Sequence, residues 1–193
     1  MKLVLATRNK DKKRELAEML ADTDIEVVTL EEYPECPEVI EDGETFFDNA
    51  RKKALEVAAF TGEMVLADDS GLVVDSLGGE PGVHSARYGK GDDSTYDDNI
   101  DRLLKELESK EDRSAYFICV AVIAKGDKVL FECEGRCYGT ILHERKGAGG
   151  FGYDPVFYYE KAGLTFGEMK PEEKNKVSHR AKALESVKDY FNS

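Results

Sequence analysis

The chain has 193 residues, with 40 Asp and Glu against 27 Lys and Arg and a formal net charge of −13. That excess argues against a general binder of nucleic acid or of an anionic membrane. The length is enough to bury a sizeable core without disulfides, in one large domain or in two lobes sharing a sheet. The longest apolar stretch, residues 115–124, has ten residues, about half of what a transmembrane helix needs. Met1-Lys2-Leu3-Val4-Leu5 runs into polar residues rather than a signal-peptide core, so the expected location is the cytoplasm. Cys36, Cys119, Cys133 and Cys137 form no C-x-x-C pair and are expected as reduced, buried thiols rather than a zinc site or a disulfide framework.

Hydrophobic periodicity predicts a strand over residues 2–6, a helix over 11–21 with Leu16, Met19 and Leu20 on one face, and a second strand over 25–30. Residues 31–44 follow as a loop with seven acidic side chains and no basic one. A helix over 45–60 repeats Phe46, Ala50, Ala54 and Val57, while Asn49 and Lys53, four apart, share a different and polar face. The apolar run Met64-Val65-Leu66 reads as a strand that ends at Asp68-Asp69. Leu72-Val73-Val74 and a loop over 77–82, rich in Gly and Pro, come next. Ile100, Leu103, Leu104 and Leu107 mark another helix. Strands over 114–124 and 128–133 are joined by a turn at Lys125-Gly126-Asp127, with a third candidate over 136–142, which suggests an antiparallel portion. Val177, Ala181, Leu184, Val187 and Phe191 define a final amphipathic helix. The expected class is α/β, a mixed sheet flanked by helices, with two lobes and an active-site cleft between them.

Four segments carry chemistry. Ala67-Asp68-Asp69-Ser70-Gly71 places adjacent carboxylates behind a buried run, where unpaired negative charge costs several kcal/mol and calls for a cation, a metal or a catalytic task; its alternative is a capping turn with Gly at positive φ. Residues 8–14 hold five basic side chains and one acid between the first strand and helix, a placement suited to phosphate. The competing reading is a solvated helix start capped by Asn9. Gly147-Ala148-Gly149-Gly150-Phe151-Gly152 matches G-x-G-x-x-G literally, but it does not open a helix after a first strand, so a Rossmann assignment is rejected. What remains is a loop whose backbone can approach a ligand while Phe151 or Tyr153 offers a ring face to a base. Lys174 with Ser178-His179-Arg180 is a set of donors that suits an acceptor-rich partner, a carbonyl-bearing base or a phosphate. His84 is read as structural and His143 as a surface residue.

Taken in order, T-x-N-x-x-K, E-D-G-x-T-F, A-D-D-S-G, L-G-G-x-P-G-V-x-S-A-R-Y, G-G-F-G-Y-D-P and S-H-R resemble the inosine triphosphate pyrophosphatase family, from Thr7 to Arg180. The resemblance implies an elongated mixed sheet in two lobes, usually a homodimer, acting on ITP, dITP and XTP to give monophosphate and pyrophosphate. It implies that Thr7, Arg8, Asn9, Lys10, Asp11 and Lys12 form the phosphate-binding stretch, with Thr7, Asn9, Lys12 and Lys53 holding phosphate. Asp69 would bind Mg²⁺ and act as proton acceptor beside Ser70 on the substrate. Glu41 matches the second metal position, with Glu38 nearby as a competitor, and Asp68 is a second ligand or an orienting group. Phe151, Gly152, Tyr153, Asp154, Lys174, His179 and Arg180 would form the base pocket. Two rivals stand beside this: a metal-dependent phosphohydrolase releasing orthophosphate, and a nucleotide-binding module without turnover.

Overall fold

The computed structural model describes residues 2–21 and 24–193; Met1, Asp22 and Thr23 lie outside the described residues. The elements run β1 (Lys2–Leu5), α1 (Lys10–Leu20), β2 (Glu26–Thr29), α2 (Phe46–Thr61), β3 (Met64–Val74), α3 (Tyr96–Glu106), β4 (Ser114–Lys125), β5 (Lys128–Ile141), β6 (Phe157–Tyr159), β7 (Leu164–Thr165), α4 (Pro171–Val177) and α5 (His179–Asn192). Seven strands form one sheet in the order β2-β1-β3-β4-β5-β6-β7. The β1 strand pairs in parallel with β2 and β3, with Leu5 opposite Thr29 and Leu66, while β5–β6 and β6–β7 are antiparallel. The sheet is therefore mixed, as the periodicity predicts. The β4 and β5 neighbours are joined by Gly126 and Asp127 alone, and Gly126 takes φ +60° at that turn.

Helix starts follow side-chain chemistry. Asn9 Oδ1 accepts from the backbone N–H groups of Asp11 and Lys12 at 2.9 and 3.1 Å, so the cap weighed as the alternative for this segment is present. Thr45 with Asp48 and Thr95 with Asp98 form reciprocal capping boxes at α2 and α3, each satisfying two otherwise unpaired donors.

Three expectations are corrected. Residues 64–66 are only the first part of β3, which runs eleven residues straight through Asp68 and Asp69. Gly71 is not among the glycines at positive φ, so the capping turn is absent and the strand runs on through the breaker signal of Ser-Gly. Residues 128–133 and 136–142 are not separate strands, because β5 continues through Gly135. The last amphipathic stretch is two helices: Ser178 adopts φ −65°, ψ 160°, ending α4 before α5 begins at His179, so Val177 belongs to the shorter helix.

The chain divides into two compact units. The first holds residues up to Asp69, then Cys119–Gly135 and Arg180–Ser193; the second holds Ser70–Ile118 and Arg136–His179. The first is cored by Leu3, Leu5, Leu16, Leu20, Leu66, Ile123, Leu184 and Val187. The second is cored by Leu72, Ile100, Leu103, Ile141 and the rings of Phe117, Phe157 and Phe166. Each buried Leu, Ile or Phe contributes about 1.5–3 kcal/mol. All four cysteines are free thiols, three of them buried. No helix among the described residues is long and apolar enough to cross a membrane.

Candidate active site

In the first unit, β3 carries Asp68 and Asp69 into the interior, at 1% and 6% exposure. Successive strand residues face opposite ways, and the two carboxylates accordingly have different partners. Asp68 Oδ2 lies 3.2 Å from Lys12 Nζ, 3.7 Å from Arg180 Nε and 4.0 Å from the Cys119 thiol. Asp69 Oδ2 accepts from Asn49 Nδ2 at 3.1 Å.

Burial pushes the Asp69 carboxyl above the usual carboxylate range. The positive charges of Lys12 and Lys53 and the bond from Asn49 oppose that shift, while the charge of Glu41 adds to it. For Lys12, burial pulls the ammonium down, but the charges of Asp68 and Asp69 outweigh it and the net shift is upward. Arg180 behaves likewise: burial disfavours its charge, and Glu15 and Asp68 more than offset the penalty.

Lys53 Nζ meets Glu41 Oε1 at 2.6 Å. Glu41, half-buried, thus stands within the electrostatic reach of Asp69, whereas Glu38 is exposed. That favours Glu41 between the two acids. Of the basic residues in 8–14, Lys12 is the one paired with a buried carboxylate. Arg8 Nη2 donates to the Cys36 carbonyl at 2.5 Å, Lys13 pairs with Glu31 at 2.7 Å, Arg14 pairs with Asp11 at 3.1 Å, and Lys10 is exposed. Thr7 Oγ1 accepts from the Asn9 N–H at 3.2 Å.

In the second unit the glycine loop folds back on itself. A Cβ on Gly147 would fall 2.2 Å from the carbonyl of Gly167, and one on Gly150 would fall 2.0 Å from Asp154 Oδ2. Only glycine tolerates such approaches at the positive φ that both residues adopt. Asp154 Oδ2 accepts from the Phe151 N–H at 2.9 Å and from Lys174 Nζ at 2.6 Å. The same ammonium sits 4.7 Å from the centroid of the Phe151 ring and 5.7 Å from that of Phe166. The His179 imidazole stacks on Phe117, with centroids 4.8 Å apart and planes 15° apart. Phe151, Lys174, Asp154 and His179 are thus held in one unit, while Arg180 is engaged by Glu15 and Asp68 in the other.

Tyr153 departs from the ring face expected of it. It is buried in the second core and its hydroxyl donates to the Ser85 carbonyl at 2.8 Å, so it anchors the loop and leaves Phe151 as the accessible ring. Ser70, half-buried, follows Asp69 on β3, and Gly152 takes positive φ. His143 is exposed as expected, and exposed His84 meets Arg87 Nη2 at 3.3 Å.

Two participants were missed from sequence. Glu15 was hidden directly behind the basic stretch; its signal was a place beside Leu16 on the buried stripe, one turn from Lys12. Asn49 was placed on the polar face with Lys53 but given no partner, since a bond to Asp69 spans 20 residues.

The fold is a mixed α/β sheet; one unit holds buried carboxylates against lysines, and the other holds an ammonium and an imidazole against aromatic rings. The Ham1 family model matches residues 3–190, and the chain belongs to that family. It is 51% identical over 186 residues to a dITP/XTP pyrophosphatase of Desulfotalea psychrophila, spanning 96% of this chain and 83% of the relative. It is 52% identical over 195 residues to a dITP/XTP pyrophosphatase of Desulforamulus reducens, spanning 100% and 96%. Among solved structures, a HAM1 protein from Coxiella burnetii superposes with TM-score 0.92 at 39% identity, over 100% of this chain and 98% of that one.

Proposed function

We propose that the chain is a nucleoside triphosphate pyrophosphatase that hydrolyses the non-standard purine nucleotides ITP, dITP and XTP to monophosphate and pyrophosphate, clearing them from the nucleotide pool. Relatives of about half identity over the full length bear the name dITP/XTP pyrophosphatase, which supports a hydrolase of phosphoric anhydrides. The observation that carries the reading is Asp69, a buried carboxylate held by Asn49 and lying within the fields of Lys12, Lys53 and Glu41. A buried carboxylate beside the reacting phosphate can orient a water and take its proton, and lysines beside it serve a substrate with about four negative charges.

The donor set fits Mg²⁺. Asp69 and Glu41 are hard oxygen ligands whose mutual repulsion a cation relieves. No group of three or more His, Cys, Asp or Glu placed to hold a metal ion is found among the described residues. Mg²⁺ suits such a site, since it is usually bound by one or two carboxylates together with phosphate oxygens and water. Bound there, it would neutralise charge on the departing pyrophosphate. In this reading Thr7, Asn9, Lys12 and Lys53 hold the phosphates, and Asp69 takes the proton of the water that attacks the α-phosphorus in line. Ser70 contacts the substrate beside it. Phe151 meets the base, and Lys174, His179 and Arg180 present donors to its carbonyl, with Glu15 and Asp68 fixing the guanidinium of Arg180. A homodimer in the cytoplasm completes the proposal, its stoichiometry measurable by sedimentation.

The test is a panel of nucleoside triphosphates with Mg²⁺ and separate assays for pyrophosphate and orthophosphate. Pyrophosphate and monophosphate from ITP and XTP are expected. Orthophosphate as first product, or binding without turnover, overturns the proposal. EDTA should abolish activity while leaving the circular dichroism spectrum unchanged, because a site of few carboxylates contributes little to the fold.

A further inference from the structure

We infer that Asn49 is a positioning residue for catalysis, holding the Asp69 carboxylate in one orientation. The inference rests on Asp69 being the proton acceptor, as proposed above. Asn49 is 1% exposed on α2, and its two amide ends have different partners. The Gly43 N–H donates to its Oδ1 at 2.7 Å, and its Nδ2 donates to Asp69 Oδ2 at 3.1 Å. The first bond sets the second. A backbone N–H can only donate, so it fixes which end of the amide is oxygen and directs the NH₂ group at Asp69. With Oδ2 held by that amide, the plane of the Asp69 carboxylate is set relative to α2 rather than left to rotate.

The same helix face holds the other proposed metal carboxylate. One turn along α2, Lys53 pairs with Glu41 at 2.6 Å, and Glu41 lies two residues before Gly43. Asn49 and Lys53 together brace Asp69 and the Glu41 loop from one rigid element. Gly43 is suited to this brace because a Cβ there would fall 2.7 Å from Asn49 Oδ1 and 2.7 Å from the Asp48 Cβ. The backbone approaches the amide closely only without a side chain.

The experiment measures kcat and KM for ITP at saturating Mg²⁺, with kcat expressed per site titrated by a non-hydrolysable ITP analogue. Asn49→Ala removes the amide. Asn49→Asp keeps its shape and replaces the donor by a second carboxylate. Gly43→Ala leaves Asn49 in place but disturbs the bond that orients it. Both Asn49 variants should lose about 10- to 100-fold in kcat, the usual cost of removing a group that orients a reacting one, with KM within about threefold. Gly43→Ala should show a smaller loss of the same kind, because its amide is present but less well aimed. A merely structural role would lower the number of titrated sites or the melting temperature and leave kcat per site intact. An Asn49→Asp or Asn49→Ala protein with kcat per site within twofold of wild type, or with its defect in KM, overturns the inference. Failure of the underlying proposal is separate, since Asp69→Asn would then keep kcat within twofold of wild type whatever the Asn49 variants do.

Discussion

Replacing Arg180 by methionine is expected to destabilise the protein by about 3–4 kcal/mol, the lower half of the range for breaking one side of a buried ion pair. The guanidinium is 1% exposed and is engaged by Glu15 and Asp68, both buried. Met fills much of the same volume, so the loss is electrostatic rather than a cavity. Asp68 keeps Lys12 at 3.2 Å, which leaves Glu15 as the carboxylate most in need of its cation and places the cost below the top of the range. For a chain of this size each kcal/mol moves the midpoint by about 2–4 °C, so the fall in Tm should be about 6–16 °C. The upward shift of Arg180 gives a stabilisation fully present below its unfolded pKa and lost only as pH rises through the higher folded value, so calorimetry at pH 7 reads all of it. Glu15→Gln/Arg180→Met should recover part of the loss, since a neutral pair leaves no orphaned charge. A fall of less than about 3 °C in the single variant, or a double variant whose loss equals the sum of the two singles, would refute the argument.

Other outcomes follow from the same geometry. Asp69→Asn should lower kcat by about 10²–10⁴, the loss typical of a general base. Its stability at pH 7 should hold or rise: a raised carboxyl contributes stability that is present below its unfolded pKa and lost as pH rises through the folded one, and Asn never ionises. A variant that melts well below wild type at pH 7, measured by circular dichroism, contradicts that sign. Gly150→Ala would place a Cβ 2.0 Å from Asp154 Oδ2 at φ +71°, so the loop must move and the KM for ITP should rise about tenfold or more, with at least about 1–2 kcal/mol of stability lost; unchanged KM and Tm would show that the loop does not serve the base. Turnover should rank ITP and XTP above GTP and GTP above ATP, because an adenine amine meets donors where hypoxanthine offers a carbonyl. His179→Ala should narrow the gap in kcat/KM between ITP and ATP by about tenfold; equal slowing of all four nucleotides would assign His179 to phosphate instead.

Much of the candidate site was legible in the sequence because its signals are local. Asp69 with Ser70, the basic stretch around Lys12, the glycines before Phe151 and the Ser-His-Arg entry to α5 are short runs whose composition marks them as candidates. The α/β class followed from periodicity, since a buried strand and an amphipathic helix each impose a repeat that single residues cannot hide. Element ends were less legible. The Ser70-Gly71 pair predicted a break, and residues 134–135 were left between two expected strands, yet strands continue through both, because ladder hydrogen bonds and burial from neighbouring strands outweigh local turn preference.

What only the tertiary structure decided is which charges meet. Glu15 with Arg180 spans 165 residues, Asn49 with Asp69 spans 20, and Tyr153 with the Ser85 carbonyl spans 68. Sequence offered Tyr153 equally with Phe151 as a ring for the base and passed over Glu15, since a side chain's role depends on whether folding takes it out of water and what it finds there. A charge in solvent is nearly indifferent to its neighbours, whereas a charge in the interior must have a partner. The residues carry their chemistry in the sequence, but the cost of desolvation, which selects the partners, exists only once the chain has closed around them.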